Sequence, residues 1–528
     1  LARDLELGVP WTTEWIKGLQ QKYRVSPDVG RECPFGTGVP KIAMGLWLGV
    51  LLPPKRSLVL RVLEQLGCSE MNNTELLAAF KELKGLALHH GDVLFPEYWM
   101  DLCDLQLLFG AQPESEEALK EFEKQVEAWV YTPKMEDAPD SDRTRTIGLG
   151  LSLLRGLVGT APRGRSIAEW LREPSRWLAN GSSTLPGITG ARKNKFSTFA
   201  SATEAEAMAW LWDRDPVLYN LLIKRERSKL RNLVSAPFTL YAQMSFLGDT
   251  LEDHLWTKIP SSLSKHFGRA DWARWQGAMG SHMFVPIDQS KFDHVPGPAV
   301  LDMLFAFLVD VCCAPGDDER AEIGMLLKER LKHGTVSFNG RSWPHLRGIL
   351  SGWRWTSVID TVLNCAEYLG IMSTLGIPGN MQLNCFQGDD TLIGTRGWSD
   401  TIAIVTEYAR LLPVNPNKFF VDESRTEYLR MVLHKTGTGV KRSGYSARAV
   451  FSLLYANAWA GGKQTASAIA DSWSRLSSRT RNSTACFRHC VRDLCGLLRC
   501  SWNDAADALR TPTAVGGLGF CGLGEPRR

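Results

Sequence analysis

Two stretches of this chain carry carboxylates in arrangements that could do chemistry: NCFQGDDTLIG at 384–394 and IDQSKFD at 287–293. In the first, Gly388, Asp389 and Asp390 stand between two runs of strand-forming residues, the pattern of a tight hairpin. In the second, Asp288 ends the apolar strand MFVPID, and Asp293 follows five residues later. A carboxylate at the end of a buried strand is costly unless a cation neutralises it. If the two strands are neighbours, Asp288, Asp389 and Asp390 converge on one point, and an all-oxygen donor set suits Mg²⁺ together with substrate phosphates. Two ions about 3.5–4 Å apart activate an attacking hydroxyl and stabilise the leaving oxygen of an in-line displacement. That is the chemistry of nucleotidyl transfer.

A second GDD, in APGDDERA at 314–321, precedes ERAEIGMLLKERL. There Asp317 or Asp318 can cap a helix and Glu319 favours its positive end, so this copy is expected to be structural. Residues 351–370 predict a long helix entered through Ser351-Gly352, with Thr356, Asp360 and Asn364 on one face and apolar residues over much of the rest. A polar stripe on a buried helix faces either a cavity or a satisfied network. KRERSKLR at 224–231 reads in two ways. As one extended strand it aligns Arg225, Arg227, Lys229 and Arg231 as a cationic wall for a triphosphate; as a helix it is a solvated face.

These residues need a large scaffold, and 528 residues with 44% hydrophobic content supply it, with about three domains or subdomains expected. The net charge of +4 leaves nucleic-acid binding to local clusters. Twelve scattered cysteines suggest reduced thiols in a cytosol-like compartment. The C-terminal group Cys486, His489, Cys490, Cys495 and Cys500 matches no zinc-finger spacing and fits a helix with buried thiols. The longest apolar run, 42–52, ends at Pro53-Pro54 and is too short to span a bilayer, so it reads as a core helix. The chain begins at Leu1, as a trimmed or processed segment would. GAMGSHM at 277–283 is taken as native sequence.

In order, KRERSKLR, DQSKFD, SGWRWTSVIDTVLN and QGDD resemble motifs F, A, B and C of the viral RNA-dependent RNA polymerases, over roughly 180–450. SGWRWT, NPNKFF, TEYLRMVL, GYSAR and TAVGGLG are most similar to the totivirus-type polymerases of double-stranded RNA viruses. The resemblance implies a mainly helical α+β right-hand fold whose palm is an antiparallel sheet. It implies an N-terminal helical module at 1–140 bridging to the fingers, fingers at 141–280 with 305–345 returning to them, a palm at 281–304 and 346–432, and a thumb at 433–528. Asp288, Asp389 and Asp390 would bind two Mg²⁺ ions, with Mn²⁺ as a substitute. Asp293 would sense the ribose 2′-hydroxyl, and Ser351, Gly352 and Thr356 would position template and ribose. Arg227, Lys229 and Arg231 would grip the triphosphate. Lys418 in NPNKFF would protonate the leaving pyrophosphate, the alternative being a surface lysine, and 427–431 would be a strand near the primer. NGSSTLPG is only loosely similar to a template-entry loop.

The implied partners are RNA template, nascent RNA, ribonucleoside triphosphates and capsid protein, the last as a separate chain or a fusion, with no membrane. The implied place of work is the capsid interior in the host cytoplasm. A reverse transcriptase shares the palm but carries a bulky gate at the position of Asp293, and an inactive RNA-binding scaffold would lack the metal ligands. One position departs from the pattern: Asp360 stands where motif B has asparagine, and an ionised carboxylate cannot donate. Asp360 then accepts from the 2′-hydroxyl, Asn364 serves instead, or nearby cations hold a different network. Asp360→Asn is expected to retain primer extension; complete loss of extension would count against this reading.

Overall fold

The structure, a computed structural model, describes residues 35, 39–95, 98–109, 116–131, 141–179, 181, 183, 194–226, 229–261, 269–280, 282–290, 292–345, 347–414, 421–437, 439–454 and 465–520. At its centre is the helix Thr356–Leu375, buried without interruption from Val358 to Met372. It crosses the helix Asp142–Val158 in direct backbone contact. A Cβ on Gly150 would stand 1.8 Å from the carbonyl oxygen of Ala366, and one on Gly370 would stand 2.1 Å from that of Thr146. Only glycine permits so close an approach. At this crossing Arg143 reaches Glu367 at 3.2 Å, and Gln289 donates to the other carboxylate oxygen at 2.6 Å. Burial pushes the Glu367 carboxyl up and Arg143 opposes the rise.

Ten strands lie among the described residues: β1 (Leu218–Glu226), β2 (Lys229–Ser235), β3 (Met283–Asp288), β4 (Thr335–Phe338), β5 (Arg341–Pro344), β6 (Cys385–Gln387), β7 (Asp390–Thr395), β8 (Arg425–Tyr428), β9 (Met431–Thr436) and β10 (Gly439–Gly444). They form three sheets, ordered β2-β1-β4-β5, β3-β7-β6 and β10-β9-β8. The class is the mainly helical α+β expected. KRERSKLR, however, is not one strand. Its two halves pair antiparallel, Lys224 with Arg231 and Glu226 with Lys229, because LYNLLI and NLV flank it with strand formers that can satisfy one another. Residues 427–431 likewise contain a turn, with Leu429 and Arg430 both left-handed at φ 50° and 61°. The upstream GDD does open a helix, Asp318–Lys332, with Asp317 as its cap.

Of three cores among the described residues, two organise most of the helices. The larger runs from Val126 to Leu412. The second joins residues 35–109 to residues 432–509, so the N-terminal helices share a core with the C-terminal ones. Cys486 and Cys490 are buried in that core, on the helix Ser483–Leu498. At its polar margin Asp104, 1% exposed, is held by Lys84 at 2.9 Å and Arg448 at 3.0 Å. Burial pushes its carboxyl up, but the two cations outweigh this and hold it below the ordinary range. A depressed carboxyl stabilises the fold above the unfolded value near 3.9, and the contribution is lost as pH falls through the folded value. Asp104→Asn is expected to cost about 3 kcal/mol at neutral pH, the lower end for a broken buried pair, since Lys84 keeps Glu427 at 3.2 Å. In denaturant unfolding across a pH series, the gap to the parent protein should narrow below about pH 4.

Candidate catalytic site

The register of β3 and β7 sets Asp288 opposite Asp390, and Gln387 of β6 pairs with Asp390 from the other side. Gly388 and Asp389 therefore form the tip, with Gly388 left-handed at φ 61°. Asp288 and Asp390 are half-buried and Asp389 is exposed. The tip is held by the central helix: the Gly388 N–H donates to Thr361 Oγ1 at 2.9 Å, and its carbonyl accepts from Asn364 Nδ2 at 3.0 Å. Thr361 Oγ1 in turn donates to the Ser357 carbonyl at 2.7 Å. Asn364 is fully buried beneath the turn. Thr361 was not singled out by the sequence; the signal available was its spacing of three from Asn364 on an otherwise apolar helix.

Asp360 is 6% exposed, and its Oδ1 has no hydrogen-bond partner among the described residues. Burial pushes its carboxyl well above the ordinary range, and the charges of Asp293 and Asp389 push it further. The neutral form so favoured can donate a hydrogen bond, as an asparagine does. Asp293, Asp360 and Asp389 thus share one field of negative charge, and their oxygen-only chemistry fits a hard divalent cation. Among the described residues, no three His, Cys, Asp or Glu side chains are gathered closely enough to hold an ion. The expected meeting of Asp288, Asp389 and Asp390 at one point is instead a pair across the sheet with the third acid at the tip. Carboxylates without a cation between them repel one another.

The other expected residues border this group. Ser351 Oγ accepts from the Val234 N–H at 3.0 Å, and a Cβ on Gly352 would stand 2.1 Å from the Val234 carbonyl oxygen. The loop before the central helix is therefore pressed against β2, the strand that carries Lys229 and the exposed Arg231. Thr356 Oγ1 bonds the carbonyls of Leu350 and Trp353, closing that loop on itself. Asn232 of β2 meets His294 at 3.3 Å, next to Asp293, and the His294 ring stacks on Trp129. Arg227 and Lys418 lie outside the described residues. A cavity of about 610 Å³ opens beside Asp288 and Asp390 and is lined also by Lys84, His89 and Arg430.

Residues 332–473 match the sequence model of a family described as viral RNA-directed RNA polymerase. The chain is similar to the probable RNA-directed RNA polymerase of Giardia lamblia virus (isolate Wang), 26% identical with 72% of this chain covered. It spans only 20% of the length of that relative. The fold is similar to the crystal structure of the RNA-dependent RNA polymerase of a human picorbirnavirus, with a TM-score of 0.50, 13% identity, and 79% of this chain and 82% of that one covered. The insertion-loop deletion mutant of that polymerase gives a TM-score of 0.48 at 13% identity over 74% and 83%. The matched segment contains the central helix and the Gly388 turn, whereas Asp288 is tied to them by the β3–β7 register. Thr361→Val, which keeps the shape and removes the hydroxyl, leaves the Gly388 N–H without its acceptor and is expected to cost about 1–3 kcal/mol. Amide hydrogen exchange should quicken at Gly388 while the helix Ser483–Leu498 keeps its protection.

Proposed function

We propose, from this chain's similarity to the viral RNA-directed RNA polymerases, that it is one of them and extends an RNA strand on an RNA template by nucleotidyl transfer. The work it serves is replication and transcription of a viral double-stranded RNA genome. The observation that carries this reading is the register of Asp288 with Asp390 beside a turn whose tip is Asp389. In the reaction a strand's 3′-hydroxyl forms a bond to the α-phosphorus of a ribonucleoside triphosphate, and the bond to pyrophosphate breaks. Asp288, Asp389 and Asp390 would hold two Mg²⁺ ions, for which Mn²⁺ would substitute. When bound, these ions supply charge neutralisation and a more acidic attacking hydroxyl.

The chain's own residues do the positioning, which dominates phosphoryl-type transfer. Asp293 and Asp360 receive the ribose hydroxyls, Asp360 in the neutral form that its burial favours. Lys229 and Arg231, with Arg227, hold the triphosphate, and their strand is kept in place by Ser351 and Gly352. Lys418 returns a proton to the leaving pyrophosphate. Asn364, with Thr361, acts through the Gly388 turn and so positions Asp389.

The subdomain reading follows the same logic. Fingers at 141–280 and 305–345 are supported by β4 joining the β1–β2 hairpin in parallel. A palm at 281–304 and 346–432 is supported by the β3-β7-β6 sheet. The thumb at 433–528 shares its core with the N-terminal module of 1–140, whose helix Glu116–Tyr131 bridges to the larger core. Capsid protein is the proposed partner and the capsid interior in the host cytoplasm the place of work; no helix among the described residues is long and apolar enough to cross a membrane.

The test is Mg²⁺-dependent extension of a primed RNA template. The parent protein should incorporate ribonucleotides in preference to deoxynucleotides, and Asp389→Ala should fall to background. Undiminished extension by Asp389→Ala would remove the site assignment, and a preference for deoxynucleotides would favour a reverse transcriptase.

A further inference from the structure

A second cavity, of about 940 Å³, shares no lining residue with the carboxylate site. Its walls are the β8-β9-β10 sheet, the N-terminal residues Lys55, Trp99, Met100 and Asp101, and the end of the helix Ala466–Thr480. Lys435 lies over the Phe284 ring at 5.6 Å. Phe284 is four residues before Asp288, about 13 Å along β3 at roughly 3.3 Å per residue.

Among the described residues, seven lysine and arginine side chains line this cavity against a single carboxylate, Asp101. That carboxylate is already taken, by Lys55 at 2.9 Å and by the Ser446 hydroxyl at 2.9 Å. Lys435, Lys441, Arg479 and Arg481 form no salt bridge among the described residues. Arg479 is partly buried, yet among the described residues its guanidinium donates only to the Tyr445 carbonyl, at 3.0 Å. A Cβ on Gly444 would stand 2.6 Å from Arg479 Nε, so β10 is shaped to admit that side chain. Burial and the charges of Arg475 and Arg448 push Arg479 down to about 10. Burial lowers His434 as well, helped by Lys441 and Arg481.

Cations drawn together at such cost, without carboxylates to match, call for an anion. Trp99 is 9% exposed and covered by the Arg425 guanidinium, which leaves the half-buried His434 as the one other ring in the described wall and little surface on which bases could stack. We propose that this cavity is a second RNA-binding site, which takes the phosphates of a single RNA strand irrespective of sequence. RNA as the polyanion rests on the polymerase reading; the demand for phosphate rests on the cavity alone.

Binding of a short single-stranded RNA to the full chain, followed by fluorescence anisotropy across a salt series without Mg²⁺, tests this. Lys441 and Arg481 are exposed and can be exchanged without disturbing the core. Lys441→Ala with Arg481→Ala should lower affinity at least tenfold at low salt. It should also flatten the slope of log K against log salt by about 1.4, two contacts at roughly 0.7 each. Removing two exposed cations elsewhere, Lys120→Ala with Lys124→Ala, should change neither. Equal loss with 5′-hydroxyl and 5′-triphosphate RNA identifies the strand backbone as the source of the phosphates, whereas loss confined to the triphosphate form identifies the strand's end. Unchanged affinity and slope in the Lys441/Arg481 variant would overturn the proposal, even if the parent protein extends primers. Loss of RNA affinity in that variant beside a parent that extends nothing would instead leave this site standing and remove the polymerase reading.

Discussion

A helix buried on every side must look to neighbouring segments for hydrogen-bond partners, and the candidate site is built from the partnerships this one makes. Thr356–Leu375 has little surface of its own. Its Thr361 hydroxyl and Asn364 Nδ2 bond the two backbone groups of Gly388, and its Glu367 bonds Arg143 and Gln289. The first pairing sets the height of the tip that bears Asp389. The second fixes the residue after Asp288. One helix thus holds both strands that carry the acids, and the Gly150 and Gly370 contacts keep that helix from shifting along its neighbour.

Charge is distributed so that the small net value of +4 conceals two opposed regions. Around the Gly388 turn, Asp293, Asp360 and Asp389 press on one another, and the buried Asp360 responds by favouring its neutral form. At the other end of β3, Arg479 and His434 are depressed by burial and by neighbouring cations. Acid repulsion and cation repulsion both cost free energy in the isolated protein. Each would be relieved by a ligand of opposite sign, and the proposed polymerase reaction uses two such ligands, divalent cations and polyphosphate chains.

Much of the candidate site was legible in the sequence, because carboxylates beside apolar strand formers and a helix cap announce themselves locally. The two GDD triplets separated on their neighbours alone, one onto a helix start and the other onto a hairpin. KRERSKLR and 427–431 were harder, since a strand and a tight hairpin share the same alternation and differ only in where the backbone finds its partner. Thr361, Gln289 and Arg143 passed unnoticed for a related reason. Each acts through a residue distant in the chain, and nothing local marks a threonine as the acceptor for one particular N–H.

The sequence by itself determined the acids and their order, the buried helix with its polar stripe, the strand ending at Asp288 and the hairpin at Gly388. All of these are set by periodicity and turn chemistry within a few residues. Only the tertiary structure decided that Asp288 faces Asp390, that Asn364 serves the turn, that residues 35–109 share a core with 432–509, and that seven cations gather around one occupied carboxylate. Register, close backbone approach and the sum of many charges at one place depend on distances between segments far apart in the chain, which local pattern does not encode.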